Sequence, residues 1–230
     1  VNDGPGLMSA AWTILRKDLR LELRTKESLT ATAIFTAITF VLFHFGTGRN
    51  AVAGQLAAGI WWVTLLFAGA LAINRLLHSE REQGGFKALL MAPIDRNSIL
   101  LAKAGMLFVV LTVLEAIALP LYALLLLEHS PAEALPQLIP VLLLANLGIA
   151  AVGTLVAGLA SNTRARELIV PLLSLPLMVP LLIGAARATG QLFVADPGNA
   201  QLGRWLALMA LYDAVFSLIA YAVFDYLLED

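Results

Sequence analysis

Six stretches of this chain are apolar for long enough to cross a lipid bilayer, and no other feature constrains its fold as tightly. They occupy residues 29–46, 54–73, 99–127, 138–160, 168–186 and 205–228. A helical crossing needs roughly 20 mostly apolar residues. A barrel strand needs about ten residues of alternating character, and these runs are continuous, so they read as helices. Only 13% of the 230 residues are charged and 60% are hydrophobic, against about 25% charged in soluble domains. A water-soluble fold could not hide this much apolar surface, so the chain is expected to be an all-α integral membrane protein. No internal repeat, low-complexity tract or linker divides it, and residues 1–230 read as one domain. Pro120 lies inside the third and longest run and suggests a kink or tilt there.

Lysine and arginine set the orientation, because cytoplasmic loops carry the excess of positive charge. With the N-terminus inside, 12 of the 15 basic residues fall on the inner side, and Arg49, Arg187 and Arg204 on the outer. Both termini are therefore expected in the cytoplasm. The opening residues 1–6 are polar and turn-rich, without the basic and short apolar regions of a signal peptide. The absence of cysteine excludes disulfides, thiolate metal sites and CxxCH haem attachment.

Residues 11–28 change character. Trp12, Leu15, Leu19 and Leu23 recur at three- and four-residue steps and form an apolar stripe. Arg16, Arg20 and Arg24 make a basic row beside it, and Asp18, Glu22 and Lys26 follow at four-residue steps. Too charged to span, this segment suits an amphipathic helix in the headgroup layer, with Trp12 and the three arginines as interface anchor. Contact with a cytoplasmic partner is a second reading of the same helix.

Residues 74–98 form the longest cytoplasmic excursion. Glu80, Arg81 and Glu82 precede Gly84 and Gly85; Phe86, Leu89 and Leu90 then recur at helical spacing, and Pro93 closes the segment. The glycines permit a sharp turn and the proline a stop. A short helix over 86–91 would offer an apolar side to a groove with charges around it, or fold back on its own cytoplasmic face. The chain contains no GxxxxGK[ST] phosphate loop, so any nucleotide must bind a partner.

The Glu-Arg-Glu-x-Gly run, the apolar helix and the Leu-Leu-x-x-Pro ending resemble the coupling segment of ABC-2 type exporter permeases. Arg16-Lys17-Asp18-Leu19, Asn74-Arg75-Leu76-Leu77-His78 and the proline-rich fifth run resemble one branch, the CcmB family of haem exporter permease subunits in cytochrome c maturation. The resemblance implies the ABC-2 permease fold, with six transmembrane helices, an interfacial N-terminal helix and a cytoplasmic coupling helix. It places Glu80, Arg81, Glu82, Gly84, Phe86, Leu89, Leu90 and Pro93 in ATPase coupling. It further implies a bacterial inner-membrane location, a second copy of the permease, an ABC ATPase, a haem-handling membrane protein and a haem chaperone. ATP would act through the ATPase, haem would enter as substrate rather than resident cofactor, and membrane lipid but not nucleic acid joins the partners.

Several polar residues fall inside the apolar runs. Glu115 is near the middle of the third, where a lone carboxylate costs about 2.5–3.5 kcal/mol and faces a cavity or a partner. Asn146 in the fourth run is its candidate hydrogen-bond partner, and a translocation role is the alternative. Asp213 lies in the outer part of the sixth run and could meet the interface if that helix tilts. Pro171, Pro176 and Pro180 interrupt the fifth run, which suggests a kinked helix or a segment that re-enters or lines a cavity. Gly148, Gly153 and Gly158 allow close helix packing in the fourth. His44 and His129 share the outer side, which permits a shared haem site without specifying one. Trp61 and Trp62 are expected in a helix interface, with indole N–H groups finding acceptors.

The leading functional reading is the permease subunit of an ATP-driven exporter serving c-type cytochrome biogenesis, by haem export or haem-chaperone release. An ABC-2 permease for a lipid, drug or polysaccharide, and a non-transporting scaffold coupled to an ATPase, are the alternatives. A proton-coupled carrier using Glu115 and Asp213 would be expected to show an inverted repeat. No nucleophile–base pair or metal constellation on an aqueous segment suggests an intrinsic enzyme.

Overall fold

In lipid, each apolar run must satisfy its own backbone hydrogen bonds, and a helix does so within one segment. The computed structural model describes residues 6–48, 51–82, 95–160, 166–196 and 201–227. The seven helices among these residues are α1 (Leu7–Thr25), α2 (Glu27–Gly46), α3 (Gly54–Glu82), α4 (Arg96–Leu125), α5 (Leu135–Leu159), α6 (Arg166–Gly190) and α7 (Leu202–Leu227). Six of them, α2 to α7, are long and apolar enough to span a membrane. The sole β feature among the described residues is an isolated bridge between Val52 and Leu127.

Helices α3 and α5 form the centre: 67% and 72% of their spanning residues are buried, against 17% in α2 and α7. α5 packs against α4, α6 and α7, while α3 packs chiefly against α6 and α2. The peripheral helices turn apolar side chains outward, as Ile34, Ile38 and Leu42 on α2 and Leu211 and Leu218 on α7. Outward apolar surface is what a lipid solvent accepts. Near one end of the bundle, Phe40, Trp61, Tyr122 and Phe193 form an aromatic cluster with neighbouring centroids 4.7–6.1 Å apart. The Tyr122 hydroxyl donates to the Ala57 carbonyl at 2.6 Å. Trp62 Nε1 reaches Thr189 Oγ1 at 3.1 Å. Trp61 Nε1, by contrast, has no acceptor among the described residues.

The loops at this far end are tied together. Val52 N donates to the Leu126 carbonyl, Glu128 N to the Val52 carbonyl, and Gly54 N to the Phe193 carbonyl, at 2.6–3.0 Å. At the opposite end α1 lies on the bundle, mainly against α4.

Several boundaries differ from the sequence reading. The amphipathic helix covers Leu7–Thr25 rather than 11–28; Lys26 takes the left-handed conformation (φ 54°) and α2 begins at Glu27, so Ser28 belongs to the first span. Glu22 makes this turn workable: its carboxylate accepts from Leu29 N at 2.8 Å, capping α2. α3 does not stop where its apolar run ends but continues as helix to Glu82, so the loop assigned to 74–98 is shorter. Hydropathy reports where lipid ends, not where the helix does. α6 runs unbroken through Pro171, Pro176 and Pro180, so the re-entrant alternative is not adopted. Each proline removes an N–H from the ladder, and the Tyr212 hydroxyl of α7 donates to the Leu177 carbonyl at 2.6 Å, tying α6 to α7 in this stretch.

Candidate functional site

The end of the bundle that carries α1 brackets the candidate coupling segment. α3 reaches it with about 10 Å of helix beyond Arg75, at 1.5 Å per residue, and Glu80, Arg81 and Glu82 lie on that extension. Arg75 Nη1 contacts Glu27 Oε1 at 3.3 Å and ties α3 to the start of α2. The remaining coupling candidates, Gly84, Phe86, Leu89, Leu90 and Pro93, lie outside the described residues.

The chain resumes at Asp95, whose carboxylate accepts from Asn97 N at 2.8 Å and caps α4. Ser98 Oγ then donates to the Leu7 carbonyl of α1 at 3.0 Å. One turn further, Lys103 Nζ meets Asp18 Oδ2 at 2.7 Å, with each residue only 7% exposed. Asp18 Oδ1 also contacts Lys17 Nζ at 2.9 Å. The helix that follows the coupling segment is thus clamped to α1. The sequence reading placed Asp18 in a charged series with Glu22 and Lys26 and counted Lys103 only among the basic residues of the inner side. Its missed signal is that Ala10, Ile14 and Asp18 share one helix face, while Lys103 lies within an apolar run.

α1 packs on the bundle through Ala10, Ala11, Ile14 and Asp18. The Trp12, Leu15, Leu19, Leu23 stripe is the neighbouring face: Leu15 and Leu19 are half-buried, Trp12 and Leu23 exposed. Arg16, Arg20 and Arg24 are exposed beyond it.

Inside the bundle, Asn146 Nδ2 donates to Glu115 Oε2 at 2.7 Å and lies 3.3 Å from Thr112 Oγ1. The proposed partner of Glu115 is therefore the one it meets. The other oxygen, Glu115 Oε1, has no partner among the described residues. Asp213 is buried within the bundle: it is 3% exposed, its two oxygens lack partners among the described residues, and a Cβ built on Gly148 would collide with Oδ1. Asn146 and Gly148 point to different sides of α5, so this central helix separates the two carboxyl groups. The glycine at 148 is required by that approach, and Gly153 by another, since a Cβ there would lie 2.7 Å from Ile73 Cδ1.

His44 Nδ1 lies 2.6 Å from the Leu125 carbonyl at the end of α4. Because a carbonyl only accepts, Nδ1 carries the proton, and the ring caps the helix terminus. His129 is exposed four residues beyond Leu125.

A family model described as CcmB protein matches residues 9–225. The chain is similar to proteins each called Heme exporter protein B. That of Rhodobacter capsulatus is 33% identical over 174 residues, 75% of this chain and 79% of the relative. That of Paracoccus denitrificans is 32% identical over 176 residues, 76% and 80% of the two chains. The Pseudomonas aeruginosa protein is 30% identical over 211 residues, 91% of this chain and 92% of the relative. Six apolar helices and a match that takes in α1, every span and the segment between α3 and α4 lead to one assignment: the chain belongs to the CcmB protein family.

Proposed function

We propose that this chain is the membrane permease subunit of an ATP-driven complex that exports haem, or releases a loaded haem chaperone, for c-type cytochrome biogenesis. The observation that carries this reading is the end-to-end similarity to proteins called Heme exporter protein B, 30% identical across 91% of the chain in one case. The distribution of charge supports an inner-membrane placement with both termini in the cytoplasm. In that placement Glu80 to Pro93 face an ABC ATPase, which supplies the nucleotide site that this sequence lacks. A second permease copy pairs with two such ATPases, and a haem-handling membrane protein and a haem chaperone complete the assembly.

The architecture suits coupling by position. A push on the segment after α3 reaches α4 directly and α1 through Asp18–Lys103, so α1 and α4 move together. Glu115 sits on α4, which such a push would shift, and its hydrogen bond from Asn146 carries the movement to α5, beyond which Asp213 lies on α7. Purification from native membranes, with identification of the bound proteins, tests the partner assignment. Reconstitution of that complex in vesicles tests the activity: haem movement or chaperone release should require ATP. Recovery of the chain without an ATPase, or ATP-independent haem movement, would overturn the reading.

A further inference from the structure

We propose that the outward side of α1 is a binding surface for anionic phospholipid headgroups, with Arg16, Arg20 and Arg24 as the phosphate-contacting row and Trp12 seated beside them at the headgroup layer. The proposal stands apart from the exporter reading and needs only the geometry of α1.

Three sectors run along this helix. Ala10, Ile14 and Asp18 face the bundle and are buried. Next comes an exposed apolar strip, with Met8 74%, Trp12 62% and Leu23 72% exposed. The arginine row follows, one residue per turn over about 12 Å of axis. None of the three arginines meets a carboxylate among the described residues. The rotation of the helix is held by Asp18–Lys103, by Ser98–Leu7 and by the Glu22 cap on α2, so the apolar strip and basic row cannot turn inward.

Height identifies the occupant. Ile14 packs with Ile99, Leu100, Ala102, Leu155 and Ala220 at the ends of α4, α5 and α7, where the spans leave the apolar layer. A strip at that height meets acyl chains on one side and headgroups on the other. Three large apolar side chains exposed beside unpaired guanidinium groups fit that boundary, and planar guanidinium forks match phosphate oxygens. A soluble acidic partner would match the arginines but would not account for the apolar strip at membrane height.

The test uses the full chain in phosphatidylcholine bilayers containing a minor share of brominated lipid with either a phosphatidylglycerol or a phosphatidylcholine headgroup. The readout is Trp12 fluorescence, taken as the difference between the native chain and W12F. Brominated phosphatidylglycerol should quench Trp12 at a lower mole fraction than brominated phosphatidylcholine, and rising salt should narrow the gap. R16Q, R20Q and R24Q should each lower the apparent phosphatidylglycerol affinity on the order of fivefold, while R16K/R20K/R24K should keep the preference. Equal quenching by the two headgroups in the native chain, or full preference in R16Q/R20Q/R24Q, overturns the proposal. Quenching by neither lipid overturns it as well and assigns the surface to a protein. If the triple glutamine variant fails to fold, the native comparison and the triple lysine variant still decide the matter.

Discussion

Asp18 on α1 and Lys103 on α4 are joined by an ion pair of 2.7 Å, buried on both sides, between residues 85 apart in the chain. Taking one partner from a buried pair leaves an uncompensated charge and costs about 3–5 kcal/mol, whereas replacing both with apolar groups is often neutral or better. D18N should therefore lower the unfolding midpoint of the detergent-solubilised chain sharply, and D18L/K103M should recover most of it. If the Asp18–Lys103 connection also transmits motion, the double variant should fold well yet mature less cytochrome c than the native chain. Full maturation by a stable D18L/K103M variant would limit the pair to a structural role.

Glu115 and Asn146 allow a cleaner separation of structure from transport. The amide donates to one carboxyl oxygen at 2.7 Å, and a glutamine at 115 still offers an oxygen in that place. E115Q should leave stability within about 1 kcal/mol of native and support maturation, because the hydrogen bond persists. E115L removes the closer acceptor and leaves Asn146 Nδ2 with only Thr112 Oγ1 at 3.3 Å, which should cost about 1–3 kcal/mol. Thermal unfolding with a cytochrome c yield assay reads both. A well-folded E115Q that matured no cytochrome would give the acid a role in translocation.

The glycines of α5 predict a specific rescue. An added methyl at Gly153 falls 2.7 Å from Ile73 Cδ1 and 3.0 Å from Leu107 Cδ2, and overpacking of this kind costs roughly 1–3 kcal/mol. I73V removes Cδ1 but keeps Cγ1, 2.8 Å from the added methyl, so it relieves only part of the clash. G153A should destabilise the chain, and G153A/I73V should recover part of the loss, so the two substitutions are non-additive in a double-mutant cycle. Strict additivity would mean that α3 and α5 are farther apart than this packing.

How far these features could be read from the sequence depends on what lipid conceals. The six spans were legible, because length and apolar continuity decide them without tertiary information. Glu115 and Asn146 were legible as a pair, since two polar groups in adjacent apolar runs gain most from each other. The face of α1 was not. In water the largest apolar residues mark the buried side of a helix. At a membrane boundary Trp12 and Leu23 can remain exposed, and the small Ala10 and Ala11 take the close contact with the bundle. The end of α3 escaped for a related reason: residues 74–82 are mostly polar, yet they carry the helix onward outside the apolar run. Asp18–Lys103 needed the fold itself to bring the residues together.

That extension of α3 sharpens what to expect of the coupling residues. Glu80 and Glu82 are two positions apart on this helix, and positions two apart do not share a helix face, so a single docking face is not expected to use both carboxylates equally. E80K and E82K should then differ in their effect on ATPase association, and E80K/E82K should be no more than modestly worse than the stronger single variant. Gly84 and Pro93 serve turn geometry in the coupling reading, so G84V and P93A should weaken association without changing charge. Co-purification of the ATPase with each variant, at two salt concentrations, separates the effects: the charge variants should respond to salt and the backbone variants should not. An ATPase that co-purified unchanged with E80K/E82K and with G84V would place the docking contact elsewhere on this end of the bundle.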